Sequence, residues 1–198
     1  MKKLIEGVAF NSGGKYKVKE GGIKTRSYVK WRAMIMRCYQ RKYQADFPHY
    51  RGVTVCDDWL DFQNFSEWFY EHEYHNYGYE LDKDILTKGS KVYSPETCCF
   101  IPQELNALLT NSASARGELP QGVHFHRRIG RYAASLNVNH RKKHLGYFDC
   151  PNEAHQVYKK AKEEHVRVKA MEWRGRIEPR VFISLMMWEL KDNETMPE

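Results

Sequence analysis

The chain has no run approaching the roughly 20 consecutive apolar residues that a membrane helix needs. Met1-Lys2-Lys3 is not followed by the apolar stretch of a secretion signal either. No membrane partner is expected, and the sequence reads as that of a cytoplasmic protein. Cysteine is sparse. Cys38, Cys56, Cys98, Cys99 and Cys150 form an odd, widely spaced set without a C-x-x-C pair, which argues against a disulfide framework. A structural zinc knot of Cys38, Cys56 and Cys98 with a histidine is conceivable, but buried free thiols are the preferred reading. There is no internal repeat.

What is present is enough apolar material for a core: 41% of 198 residues are hydrophobic and 14% aromatic. That length fits one large domain or two small ones. The net charge of +7 and pI near 9.1 favour an anionic partner, of which nucleic acid is the commonest. The plainer alternative is a basic protein with solvated lysines.

Residues 122–149, GVHFHRRIGRYAASLNVNHRKKHLGYFD, carry the strongest pattern. They read as three antiparallel strands, Gly122–Arg128, Arg131–Asn139 and Lys142–Phe148, with turns where Gly130 and Asn139 tolerate positive φ. Alternation puts Val123, Phe125, Tyr132, Ala134, Leu136, Val138, Leu145 and Phe148 on one buried face. His124, His126, Arg128, Ser135, Asn137, Lys142 and His144 fall on the other, which holds donors and cations and no acid. Such a face suits phosphates and base edges. A helix over Pro151–Ala170 follows, with Ala154, Val157, Tyr158, Ala161, His165 and Val168 spaced to cover the apolar side of the sheet.

Upstream, residues 1–27 read as a loose arm with a short edge strand around Lys15–Lys19. Tyr28, Trp31, Ile35 and Cys38 make one helical stripe. Val53–Cys56 is a short strand, and Asp61 or Asn64 caps a helix with the face Phe62, Phe65, Trp68 and Phe69. Leu81–Phe100 reads strand, glycine-containing loop, strand, and a third helix begins near Pro102. Asn111–Gln121, NSASARGELPQ, is the clearest linker. A helix over Glu178–Leu190 closes the chain. The class is α+β, divided into an N-terminal module at 1–110, the linker 111–121, a sheet-and-helix domain at 122–173, and a C-terminal helix and tail at 174–198.

The one stretch with a catalytic look is Glu80-Leu81-Asp82-Lys83-Asp84 with Tyr93–Cys98. Two aspartates two apart on a strand suit a hard divalent cation; they equally suit a solvated strand end with local ion pairs. His72 and His75, just upstream, are candidate bases.

Two resemblances join these patterns. GV-x-F, GRYAASL, HLGYFD and the P-x-EA helix, over residues 122–170, are similar to the Apetala-two/ethylene-response DNA-binding domain, which docks a three-stranded sheet into the major groove. His144 stands where that family has a tryptophan, and Ser135 and Asn137 where it has a charged pair. The Tyr28–Tyr39 helix, Val55–Phe65 and the two segments around Asp82 and Cys98 resemble a phage-type family that couples a divergent HNH (ββα-metal) nuclease module to an Apetala-type domain. The resemblance implies duplex DNA as partner and Mg²⁺ or another divalent ion as cofactor. Asp82, with Asp84, would hold the metal. Among the catalytic positions, Lys83 replaces the histidine base, with His72 and His75 as substitutes, and Thr97 replaces an asparagine. His124, His126, Arg128, Arg131, Ser135, Asn137, Lys142 and His144 are the DNA-contact candidates. The expected function is sequence-directed duplex DNA binding as an HNH/homing-type endonuclease. The alternative is a non-catalytic regulator or accessory factor with a decayed nuclease module; an inhibitor of a host protein or RNA is a third reading.

Overall fold

The computed structural model describes residues 4–72, 74, 78–109, 119–139 and 141–190. The fold is α+β and divides into two compact units, Met1–Gln103 and Glu104–Glu198.

In the first unit a hairpin of β1 (Lys19–Glu20) and β2 (Ile23–Lys24) leads into helix α1 (Arg26–Tyr39). Its turn is Gly21-Gly22, both at positive φ, as a tight two-residue hairpin requires. The edge strand thus lies at Lys19–Glu20, at the end of the expected stretch. Helix α2 (Arg41–Asp46), strand β3 (Thr54–Val55) and helix α3 (Phe62–Glu71) follow. Asp61, rather than Asn64, caps α3, its carboxylate accepting the Gln63 N–H at 3.1 Å. The facing stripes of α1 and α3 bury Trp31, Met34, Ile35, Phe62, Phe65 and Phe69 completely or nearly so. The indole N–H of Trp31 donates to the Trp59 carbonyl at 2.7 Å, so this large ring is buried without an orphaned donor.

Strand β4 (Glu80–Asp82) pairs antiparallel with β6 (Cys99–Ile101), while β5 (Val92–Tyr93) pairs parallel with β3. The two strands flanking the glycine-containing loop, β4 and β5, therefore join different sheets. Asp84 is not on the strand with Asp82 but in the turn beyond it.

Helix α4 (Gln103–Leu109) begins at the unit boundary. The expected linker falls largely outside the described residues; the break between units lies ahead of it, at Gln103. The second unit is an antiparallel sheet in the order β7 (Val123–His126), β8 (Arg131–Val138), β9 (Arg141–Phe148), packed on helix α5 (Pro151–Glu172), against which helix α6 (Pro179–Met186) packs in turn. Ala134, Leu136, Ala154, Tyr158 and Leu190 form its core, with Val123, Tyr132, Leu145, Phe148 and Trp188 around them. The segment after residue 173 thus belongs to the sheet unit rather than standing apart. Helix α6 ends four residues before Leu190, and the chain returns so that Leu190 N–H donates to Glu163 Oε1 at 3.1 Å.

Three expectations are corrected. Phe125 is 46% exposed at the free end of β7, where it meets Tyr132 edge-on at 5.1 Å. The buried stripe of α5 runs Ala154, Tyr158, Lys162, Val166, Ala170, a strict four-residue step; Val157 and Val168 face outward. Arg128 is not on a strand but in the turn 127–130, closed by Gly130 at φ 71°.

Candidate nucleic-acid interface

The register of the three strands builds one polar face. His124 lies opposite Ala133, which lies opposite Tyr147; His126 is opposite Arg131; Ser135 is opposite His144, and Asn137 opposite Lys142. A bulge between Ala134 and Ser135 places an extra residue, Leu145, in β9. It changes the parity of that strand: His144 and Tyr147 both reach the polar face, and Leu145 and Phe148 both reach the core. Tyr147 was missed in the sequence for this reason. The signal was there, since Leu145 and Phe148, three apart, cannot share a face in an unbroken strand.

Tyr147 ties the face together. Its ring centroid lies 4.4 Å from that of His144 and 5.5 Å from that of His126. The Nδ1 of His126 is buried without a hydrogen-bond partner. Burial first, then the charges of Lys142, His126 and His144, hold the His124 imidazole below its usual pKa, so further positive charge is already disfavoured here. Lys142, His144 and Asn137 are exposed, as is Arg128 in its turn at the end of the sheet. Arg131 is not a free cation. Its Nε and Nη2 grip the two carboxylate oxygens of Asp149 at 2.7 and 3.0 Å. That acid, just past β9, corrects the reading of a face without carboxylates: one stands at its edge, neutralised.

In the first unit the acidic strand end is occupied by its own backbone. Asp82 Oδ1 accepts the N–H groups of Asp84 at 2.8 Å and Ile85 at 2.9 Å, capping the turn that follows β4. Burial holds its carboxyl above the usual range in spite of those donors. Lys83 is 7% exposed; its ammonium donates to Asp84 Oδ1 at 2.5 Å and to the Ser90 carbonyl at 2.9 Å, clasping the loop between β4 and β5. Thr97 accepts the Ser94 N–H at 3.0 Å and donates to the Val92 carbonyl at 2.7 Å. His72 packs on Phe100 with ring centroids 5.2 Å apart and on Trp68 at 5.4 Å. Phe100 pairs with Leu81, so it and His72 sit on the face of this sheet opposite to Asp82. The structure thus brings Asp82, Lys83 and Asp84 together and leaves His72 on the other side. His75 lies outside the described residues. Among the described residues no three His, Cys, Asp or Glu side chains group as a metal site would require.

Comparison with protein-family models, with curated proteins and with solved structures finds no match to this chain.

Proposed function

We propose that the protein binds duplex DNA through the polar face of its C-terminal sheet. The observation that carries this reading is the convergence of His124, His126, Asn137, Lys142, His144 and Tyr147 on one side of three strands, while the other side is closed by α5. Lys142 and the exposed Arg128 are placed to meet phosphates, which fix register; the imidazoles and Asn137 carry donors and acceptors that base edges can pair with. Fluorescence anisotropy with labelled duplexes between 50 and 200 mM salt tests it. Affinity should fall steeply as salt rises, because phosphate neutralisation releases counterions. No saturable binding at the lower salt would end the reading.

The arrangement of the first unit favours the non-catalytic alternative over an HNH/homing-type endonuclease. Asp82, Asp84 and Lys83 do not fit a complete divalent site: one carboxylate oxygen of Asp82 holds a turn, Asp84 is neutralised by Lys83, and the lysine itself is fastened to the Ser90 carbonyl. One observation favours the endonuclease: Asp82 Oδ2 makes no hydrogen bond among the described residues and is open to a ligand. Incubating DNA with the protein and Mg²⁺ or Mn²⁺ separates the two. Bound but uncut DNA fits the accessory role; cutting that Asp82→Ala abolishes fits the enzyme.

A further inference from the structure

Beside the polar face, where β8 runs on past the start of β7, the second unit contains a cavity of about 840 Å³. Its walls include Asn137 and Lys142 from the sheet and Tyr158, Lys162, His165 and Lys169 from α5. Lys162 is the feature that needs explaining. It is only 9% exposed, on the buried stripe of its helix, yet it has no carboxylate and no hydrogen bond among the described residues. The acid that lines the cavity is taken: Glu104 pairs with Lys169 at 2.8 Å. Burial alone lowers the pKa of the Lys162 amine, and Lys162 in turn helps depress His165. A cation on a largely buried side chain, with no acid paired to it, favours an anion that enters the cavity it lines. The volume suits a nucleotide-sized ligand.

We propose that this cavity is an oxyanion site that takes a phosphate group, with Lys162 as its central cation and Asn137 and Lys142 at its mouth. The phosphate has two possible sources. A free di- or triphosphate would enter as a small ligand, whatever the sheet binds. A backbone phosphate of DNA would enter from the adjoining polar face, and that source rests on the DNA-binding reading.

The test is calorimetric titration of the full chain with pyrophosphate and with ATP, and anisotropy with duplex DNA, for wild type and Lys162→Met. Methionine keeps the apolar stem and removes the charge; Lys162→Gln serves if that variant does not fold. A charge-assisted contact of this kind is worth about tenfold or more in affinity. Saturable pyrophosphate or ATP binding that Lys162→Met weakens by that factor, with DNA affinity unchanged, assigns a free phosphate ligand. Loss confined to DNA affinity, with the salt slope reduced by about one, assigns a backbone phosphate; loss of both assigns one site shared by the two. Wild type that binds no pyrophosphate or ATP, with DNA affinity indifferent to Lys162→Met, overturns the proposal. So does a variant that binds every probe as the wild type does. Failure of wild type to bind DNA removes the DNA-binding reading alone and leaves the pyrophosphate titration decisive.

Discussion

Gly122 lies directly under the ring of Tyr158: a Cβ built at Gly122 would sit 2.1 Å from the Tyr158 Cγ and Cδ2 atoms. Gly122 also has φ +80°, and its carbonyl accepts the Ser135 N–H at 2.9 Å. The residue that opens β7 thus lets the main helix of the unit close on the sheet. Gly122→Ala should cost about 3 kcal/mol, combining overpacking with a strained backbone. Gly130→Ala, at φ +71° with nothing within 4 Å, should cost only about 1 kcal/mol. Thermal unfolding of the two variants checks the ranking; equal losses would mean that the contact with Tyr158 is relaxed in solution.

DNA affinity should rise as pH falls from 7.5 to 6. The depressed pKa of His124 leaves that imidazole neutral in the free protein near neutrality, and approaching phosphates would favour its charged form. The same shift has the opposite effect on folding. A histidine with a lowered folded-state pKa contributes stability above its usual value near 6.5, and loses it as pH falls through the folded value. His124→Gln should flatten the pH dependence of binding. Anisotropy across that pH range is the measurement, and a wild-type affinity indifferent to pH would count against proton uptake at this face.

Asp82→Asn should fold and gain on the wild type as pH rises. The amide oxygen can accept the same two N–H groups from Asp84 and Ile85 without the charge that burial opposes. A carboxyl whose folded pKa is raised favours the fold below its unfolded value near 4 and costs stability as pH rises through the folded one. The melting-temperature gap between Asp82→Asn and wild type should therefore be wider at pH 7.5 than at pH 4.5. Asp82→Ala leaves both donors without an acceptor and should lose about 1–3 kcal/mol.

The pair Lys83→His with Thr97→Asn restores the residue types of an HNH motif, yet it should lower stability and produce no cleavage. Imidazole is too short to replace the reach of Lys83 to Ser90, and the amide of asparagine must disturb the Ser94–Thr97 turn. A plasmid-nicking assay with Mg²⁺ and Mn²⁺ decides. Cleavage above the wild-type level would overturn the non-catalytic reading of this unit.

Burial pushes the Cys38 and Cys98 thiols up to about 12. Both should resist a thiol reagent at pH 8 in the folded protein and react once denaturant is added. Because the unfolded thiols ionise near 9 and the folded ones do not, stability should decline above pH 9. Rapid native labelling of more than the half-buried Cys56 and Cys150 would contradict this.

Much of the molecule was legible in the chain because its signals are local. Period-two alternation located the three strands, Gly130 and Asn139 located their turns, and Asp61 marked the start of α3. None of these depends on a distant partner. What the chain could not show was which way shared boundaries turn. The stripe of α5 settled on Lys162 and Val166 because the helix must serve both the sheet and α6, and one face cannot point fully at both. The bulge at Ala134–Ser135 brought Tyr147 to the polar face, since one extra residue in a strand reverses the side of those beyond it. Asp82, written like a metal ligand, became the cap of a turn, and His72 was sent to the opposite face by the pairing of Leu81 with Phe100. Spacing along a chain determines which side chains can share a face; only packing against the rest of the molecule decides what that face meets.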